Sequence, residues 1–353
     1  MQPDNNAKPQ NSETPSGDQP DENQLPASGF ERAAVAPAEA VQRREELRQA
    51  RRQARLVAPI TWVEPAVPLE RDTLWRSLTR EGEARLLVVR ATQAVREAAA
   101  RMHATPDVAK LVAELMLGAL LVRSTINPDE RLQLYLNHEG PLGQVAIEAW
   151  DDGGVRAYVA HPEESNEIFG LLIGAGSLQI SRALGTKHYA SSVALNGENV
   201  SDYLMHYLLE SEQILSLVHT DVRLGADGQV QSASGYLLQM MPEGTRDDLR
   251  KILHNIQGIA VIGDAMTAED PDARAWAKAL FEGFGWDQCA REPVAFRCRC
   301  SRDRMMAMLS SLPRGDMAEL AEGSEPLELV CDYCHTKYYV RPGELRELMV
   351  EPS

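Results

Sequence analysis

The chain lacks the features that direct a protein out of the cell or into a membrane. Its longest apolar stretch, residues 111–122, is too short to span a bilayer and is interrupted by Glu114. The first ten residues, MQPDNNAKPQ, contain no apolar core of the kind that a signal peptide requires. We therefore expect a cytoplasmic protein that does not associate with membranes.

Positive charge is also scarce. The chain has 36 Lys and Arg residues against 52 Asp and Glu residues, which gives a formal net charge of −16 at pH 7. A strongly acidic surface repels the phosphate backbone of DNA and RNA. Nucleic acids are therefore not expected among the partners of this protein.

Motifs of common enzyme classes are missing as well. The sequence contains no G-x-S-x-G, Walker A or H-E-x-x-H motif. Gly174-Ala175-Gly176 lacks the third glycine of a dinucleotide fingerprint, and an apparent strand rather than a helix follows it. The sequence therefore predicts a protein that is not an enzyme.

The first segment, residues 1–56, is predicted to be an extension of the folded protein. Residues 1–30 are rich in Pro, Asn, Gln, Asp and Glu and have too little apolar surface to order themselves. Residues 41–55, VQRREELRQARRQAR, include six arginines and predict a helix. That helix is either solvated and stabilised by its own Arg–Glu pairs, or available to an acidic partner surface.

Residues 57–244 have the mixed pattern of an α+β core. Residues 84–90, ARLLVVR, predict a buried strand, and residues 107–123 predict a long helix with one apolar face. Alternating apolar residues recur at 132–136, 155–159, 178–180, 193–195 and 236–240. Several strands with few helices predict a mainly antiparallel sheet with helices packed on it.

Residues 245–297 predict a helical linker of marginal stability. The first helix has apolar residues at i, i+3, i+4 and i+7, namely Leu249, Ile252, Leu253 and Ile256, and Gly258 is a plausible stop. A second amphipathic stretch begins near Pro271 and carries Trp276, Leu280 and Phe281. Helices this short are stable only when their apolar faces dock on another surface.

Cysteine is rare, but four of the five cysteines lie close together in residues 298–353. They form Cys298-x-Cys300 and Cys331-x-x-Cys334. Two close pairs of thiolates can hold one Zn²⁺, with Zn–S bonds of about 2.3 Å, or can close into disulfides if the metal is lost. A domain of this size with few large apolar residues would depend on the metal for its fold.

The spacing alone leaves an inert zinc ribbon and an oxidisable zinc site equally open. Four nearby cations, which favour reactive thiolates, modestly support the second: Arg297, Arg299, Arg302 and Lys337.

Residues within and beside the cysteine pairs allow other interpretations. Residues 331–335 also match the C-x-x-C-H motif of c-type haem attachment, but haem would require export and would leave Cys298 and Cys300 unexplained. His335 could compete as a zinc ligand, although a surface position is expected. We interpret Cys289 as a plain, partly buried thiol.

A family resemblance becomes specific at the cysteine pairs. FRCRCSRDR (296–304) and CDYCHTKYYV (331–340) resemble the zinc-binding end of the heat-shock protein 33 family of redox-regulated bacterial chaperones. Three upstream segments resemble core segments of that family in the same order: HEGPLGQVAIEAWDDGGVRAYVAHP (138–162), YLLESEQ (207–213) and YLLQMMPEG (236–244). The resemblance covers about residues 80–345 and excludes the Arg-rich extension.

The resemblance implies an ATP-independent holdase with a thiol switch. In the reduced, inactive form, Cys298, Cys300, Cys331 and Cys334 would bind one Zn²⁺. Oxidation would form the disulfides Cys298–Cys300 and Cys331–Cys334, release zinc and unfold residues 298–353 together with the linker. The oxidised protein would form a homodimer and hold unfolding client proteins.

The linker residues exposed by this switch are the candidate client-binding residues: Leu249, Ile252, Trp276, Leu280 and Phe281. The alternative is a constitutive binding protein whose zinc ribbon is purely structural.

Overall fold

The computed structural model describes residues 72–350 except 167, 168, 186, 268 and 269, so the predicted extension at 1–56 lies outside the described residues. The strands are Thr73–Thr79 (β1), Ala84–Arg90 (β2), Arg131–His138 (β3), Val145–Ala149 (β4), Gly154–Val159 (β5), Gly176–Leu184 (β6), Lys187–Ala194 (β7), Ser216–Leu224 (β8), Val230–Met240 (β9), Trp286–Pro293 (β10), Ala295–Phe296 (β11), Leu327–Val330 (β12) and Lys337–Val340 (β13). The helices are Thr92–Met102 (α1), Pro106–Arg123 (α2), Phe169–Ile173 (α3), Val200–Glu210 (α4), Arg246–Gln257 (α5), Ile262–Ala265 (α6), Arg274–Leu280 (α7), Arg302–Ser310 (α8), Arg314–Glu322 (α9) and Pro342–Val350 (α10).

Two sheets form the core. One has five strands in the order β10-β1-β2-β9-β8, and the other has six in the order β11-β5-β4-β3-β6-β7. All neighbouring strands pair antiparallel except β11, which runs parallel to β5. A separate hairpin, β12–β13, lies near the C-terminus. The prediction of an α+β fold with mainly antiparallel sheets is confirmed.

Helix α2 fills the interior because it packs against strands of both sheets. It begins at Pro106, whose missing N–H costs nothing at the first helical position, and the Thr105 side chain accepts a hydrogen bond from the Val108 amide. Helix α4 packs so closely on α2 that a Cβ at Gly118 would meet Leu204 Cδ1 at 2.3 Å. A larger residue at this position would therefore force the Leu204 side chain to move.

The sequence predicted β2 and α2 nearly to the residue but missed β1, β4 and β8. Strand β4, VAIEA, is buried at every position, so it has no alternation of apolar and polar residues to detect. The predicted helical linker also ends in strand β10, which pairs along the whole of β1. That pairing involves residues about 200 positions apart, so no local pattern could reveal it.

The linker segment, residues 245–297, docks on the outer face of the five-stranded sheet. Leu86 and Val88 of β2 point toward the linker, whereas Leu87 and Val89 point toward α2 on the opposite face. Helix α5 begins with a capping box in which Thr245 and Asp248 satisfy each other's backbone N–H groups, and it ends at Gly258 as predicted.

The C-terminal segment, residues 298–350, has little core of its own. Its buried apolar cluster contains five residues: Leu309, Met317, Ala321, Val340 and Leu345. An apolar cluster this small contributes little free energy toward folding, so the segment needs another source of stability. Within the described ranges, no helix has both the length and the apolar character needed to cross a membrane.

Candidate metal centre

The four clustered cysteines come from two turns that the fold brings together. Cys298 and Cys300 follow strand β11 and precede helix α8, whose N-terminus is capped by the Ser301 side chain. Cys331 and Cys334 lie in the turn between β12 and β13. That turn is closed by the His335 amide, which donates to the Cys331 carbonyl at 2.8 Å.

The sulfur atoms have the spacing of a four-coordinate metal site. All four Sγ atoms lie within 4.8 Å of one another. Cys298 Sγ is 3.6 Å from Cys331 Sγ, and Cys300 Sγ is 3.4 Å from Cys334 Sγ. Tetrahedral zinc with bonds of about 2.3 Å separates its sulfur ligands by roughly 3.8 Å. The donor set therefore fits a thiophilic divalent cation, and the four cysteines could bind a metal ion.

The surroundings of three of these thiols shift their pKa values in different directions. Burial raises the pKa of Cys331 to about 12 and also raises the pKa of Cys300. Burial acts in the same direction on Cys334, but hydrogen bonds with Thr336, Cys300 and Cys298 together outweigh it and lower the pKa of that thiol to about 7. Metal ligands must be deprotonated, so a cation that binds here must displace protons from the more basic thiols.

Two side chains outside the pairs donate hydrogen bonds to the sulfurs. Arg156 Nη1 on β5 lies 3.3 Å from Cys298 Sγ, and the Tyr338 hydroxyl on β13 lies 3.1 Å from Cys300 Sγ. Such donors stabilise thiolates and orient them, as outer-shell groups commonly do around metals.

Arg156 is held in place by the core. Its Nε and Nη2 donate to Glu148 Oε2 at 3.0 and 2.7 Å, and the two side chains are only 13% and 4% exposed. The other Glu148 oxygen accepts from Gln133 Nε2 at 2.7 Å and from the Tyr333 hydroxyl at 3.3 Å. The buried carboxylate is thus satisfied from both the core and the cysteine turn.

The four cations expected from the sequence to act on the thiolates are instead paired with carboxylates. Arg297 and Arg299 both bind Asp152, at 2.8 and 3.2 Å. Arg302 binds Glu344 at 2.7 Å, and Lys337 binds Glu328 at 2.8 Å. Arg156, which contacts a sulfur directly, was missed because it lies 142 residues away from Cys298 in the sequence.

His335 is exposed and does not belong to the cysteine cluster. Cys289 is exposed on β10, so the expectation of a partly buried thiol was wrong. An edge strand presents alternate side chains to solvent, which the assignment to a helical linker had not anticipated.

The proposed client-binding residues are mostly buried in this structure. The cluster that docks the linker contains Ile252, Trp276, Leu280 and Phe281, and Leu249 is partly exposed. Their neighbours in the sheet include Trp75 and Tyr236, and the Trp276 and Tyr236 rings lie 4.9 Å apart. In this conformation these residues therefore pack the linker onto the core.

Comparisons with known proteins decide the family. The profile described as Hsp33 protein matches residues 72–341. The chain belongs to the Hsp33 family. It is 30% identical over 295 residues to a 33 kDa chaperonin of Thermus thermophilus, covering 78% of this chain and 86% of that one. It is also 30% identical over 285 residues to the 33 kDa chaperonin of Geobacter sulfurreducens, covering 78% and 94% respectively.

A solved structure shows the same fold. The crystal structure of the 33 kDa chaperonin (Hsp33 homologue) of Thermotoga maritima matches with a TM-score of 0.70 and 24% identity, covering 79% of this chain and 98% of that one. Membership of the Hsp33 family supports a chaperone role for this protein, and the cysteine cluster is consistent with redox regulation and metal binding.

Proposed function

We propose that this protein is an ATP-independent holdase whose activity is switched by oxidation of a zinc site. Zn²⁺ held by Cys298, Cys300, Cys331 and Cys334 would supply the folding energy that the C-terminal segment lacks. The observation that carries the proposal is the convergence of these four sulfurs within 4.8 Å on a segment with a five-residue core.

Oxidation removes the metal ligands. A peroxide, or hypochlorous acid, takes two electrons from each pair of thiolates, and its O–O or O–Cl bond breaks as an S–S bond forms. Hydrogen peroxide leaves as two hydroxides or waters, and hypochlorous acid leaves as chloride and hydroxide. The proposed disulfides are Cys298–Cys300 and Cys331–Cys334. In the folded cluster, cysteines of different pairs also lie close to one another, with Cys300 Sγ 3.4 Å from Cys334 Sγ and Cys298 Sγ 3.6 Å from Cys331 Sγ.

Unfolding favours the pairing within each turn. Once the turns separate, Cys298 and Cys331 are joined only by a long flexible chain, whereas the partners within each pair stay close together along the sequence. Bringing the ends of a longer loop together costs more entropy. The proposed pairing within each turn therefore requires that the C-terminal segment unfolds before the second disulfide forms, or at the same time.

Unfolding of the C-terminal segment would destabilise the linker. Strand β11 connects the two segments and pairs with β5, so its release removes the anchor at the end of β10. Separation of the linker from β1 and β2 would then expose Ile252, Trp276 and Leu280, forming an apolar surface for unfolding clients. Homodimerisation would accompany this oxidised state.

The decisive experiment measures light scattering by a thermally unfolding client. Reduced, zinc-loaded protein is compared with protein treated with peroxide at elevated temperature, while a chromophoric chelator reports zinc release. We expect suppression of aggregation only after zinc release. Equal suppression by both forms would instead support the constitutive binding protein with a structural zinc ribbon.

A further inference from the structure

Methionine is concentrated in the C-terminal segment. Five of the twelve methionines lie in residues 298–353, although this segment is a small part of the chain. Three of the five fall in helix α8, as Met305, Met306 and Met308. Oxidation converts the thioether of methionine into a polar sulfoxide. An oxidant that reaches the cysteine pairs therefore also meets oxidisable sulfur in the helix that follows Cys300.

The three methionines of α8 have different surroundings. Met305 is half-buried and packs against the main core, to which the four clustered cysteines also belong. Met306 is half-buried and packs against the small C-terminal core. Met308 is 53% exposed and belongs to neither set of packed residues. Solvent therefore reaches this helix, but only Met305 and Met306 contribute to packing.

Met306 completes a core that has little to spare. That core has five buried residues, and Met306 is one of the partly buried side chains packed against them. Residues three apart on a helix share a face, so Met306 lies beside Leu309, which is 3% exposed. Within the described chain, the side chains of this core are aliphatic or thioether groups, which cannot donate a hydrogen bond. A sulfoxide at residue 306 must therefore turn out to solvent or stay in the core without a partner, and either outcome weakens the packing.

Helix α8 connects this core to the first cysteine pair. The Ser301 side chain caps α8 directly after Cys300. From the first residue of the helix, Arg302 forms an ion pair with Glu344 of α10. Withdrawal of Met306 from the core would loosen α8 and, through its capped end, the turn that carries Cys298 and Cys300.

We propose that Met306 is a second oxidation site of this protein, which hypochlorous acid converts to the sulfoxide and which then weakens the hold of the cysteine cluster on zinc. In the net reaction the thioether sulfur loses two electrons, the O–Cl bond breaks and an S–O bond forms. Chloride leaves, and the proton of hypochlorous acid passes to solvent. The effect on zinc rests on the function proposed above, whereas the modification itself does not.

The two kinds of oxidation differ in what reverses them. A phosphine reductant reduces disulfides and leaves sulfoxides intact, whereas methionine sulfoxide reductases restore the thioether. Full-length, zinc-loaded protein is therefore treated with limiting hypochlorous acid, reduced with a phosphine and supplied again with zinc. Peptide mass spectrometry then confirms that the four thiols have been recovered and locates the sulfoxides.

We expect a sulfoxide at Met306 and zinc transfer to a chromophoric chelator about tenfold faster than from untreated protein, as for one polar group left without a partner in an apolar core. Amide hydrogen exchange in residues 302–350 should accelerate as well, which reports the loosening independently of zinc. Treatment with methionine sulfoxide reductases should restore both rates. Protein oxidised with hydrogen peroxide, which attacks thioethers far more slowly, should recover fully after the phosphine alone.

Two leucine variants assign the effect to one residue. Met306→Leu keeps the side chain apolar and of similar volume but removes the sulfur, so its zinc transfer and exchange should return to the untreated rates after the phosphine. Met308→Leu, the matched control on the exposed side of the same helix, should behave like the parent protein. Recovery of the parent while Met306 remains a sulfoxide, or equal behaviour of the two variants, would overturn the proposal.

The client aggregation assay with the same samples separates this site from the cysteine switch. If peroxide activates the holdase while oxidation of Met306 changes neither rate, the methionine site is wrong and the proposed function stands. If the sulfoxide at Met306 loosens residues 302–350 while oxidation has no effect on aggregation, the redox switch is wrong and the methionine site stands.

Discussion

The guanidinium carbon of Arg156 lies 3.6 Å from the centroid of the Tyr333 ring. Arg156 belongs to the core, and Tyr333 lies between the two cysteines of the C-x-x-C turn. Since the Tyr333 hydroxyl also donates to Glu148 at 3.3 Å, one side chain of the cysteine turn makes both a cation–π contact and a hydrogen bond to the core. The position of the cysteine cluster and the docking of the C-terminal segment are thereby linked.

Replacement of Tyr333 by alanine should weaken this docking by about 1–3 kcal/mol, the combined value expected for a partly buried cation–π contact and a hydrogen bond to a charged group. We expect zinc release at a given peroxide concentration to become faster. Tyr339→Ala is the matched control because Tyr339 is 55% exposed on the neighbouring hairpin. Equal rates for the two variants, followed with a chromophoric chelator, would show that the Tyr333 contact does not restrain the cluster.

Replacement of Ile252 by alanine should destabilise the docked linker. Ile252 is fully buried, and removal of a buried isoleucine side chain to Cβ typically costs about 2–5 kcal/mol. Its neighbour Leu253 is 36% exposed, so Leu253→Ala makes a similar change on the solvent side of the same helix.

We expect amide hydrogen exchange in residues 246–280 to accelerate strongly in Ile252→Ala and only slightly in Leu253→Ala. The proposed switch further predicts that Ile252→Ala suppresses client aggregation at lower oxidant doses than the parent protein. Unchanged exchange in Ile252→Ala would mean that this side chain does not hold the linker on the sheet.

Serine at Cys289 should leave zinc binding and oxidative activation unchanged. This thiol is exposed on β10 and lies outside the cluster of four sulfurs. Serine at Cys298 should instead weaken metal retention, because one of the four proposed ligands is removed. Zinc content by elemental analysis and disulfide mapping by mass spectrometry distinguish the outcomes. A mapped disulfide that includes Cys289, together with failed activation of Cys289→Ser, would contradict the four-cysteine switch.

Glu114 should make the stability of the core depend on pH. Burial in α2 raises the pKa of Glu114 to about 7, Lys110 lowers it, and Asp221 raises it further. Because the unfolded carboxyl ionises at lower pH than the folded one, stability falls as pH rises from about 4.5 to 7, and the full penalty persists above pH 7.

The variant Glu114→Gln should therefore raise the free energy of unfolding by about 1–3 kcal/mol at pH 8 and have little effect at pH 4. Urea denaturation at the two pH values, followed by circular dichroism, measures this difference. Glu319→Gln, at an exposed position of α9, serves as the control. A gain at pH 4 equal to that at pH 8 would exclude ionisation of Glu114 as the cause.

The local sequence pattern was sufficient to predict an element where a single residue type or a single periodicity determines its structure. The strand at 84–90, the helix ending at Arg123 and the stop at Gly258 all follow from side-chain spacing and backbone preference. The cysteine pairs likewise point to a four-ligand site because thiolates at such spacing have few other uses. Local pattern failed for β4, which is buried throughout, and for β10, whose strand conformation depends on its partner β1.

The sequence by itself determined the class of fold, the paired spacing of the four cysteines and the amphipathic character of the linker. Each of these depends on residues close together along the chain. The tertiary structure alone decided which groups surround the sulfurs. Glu148 and Arg156 come from a hairpin far from the cysteine pairs, and the cations adjacent to those pairs are drawn to Asp152, Glu344 and Glu328. Hydrogen bonds and ion pairs act over a few ångströms of space, so their partners are fixed only when the sheets and the cysteine turns have come together.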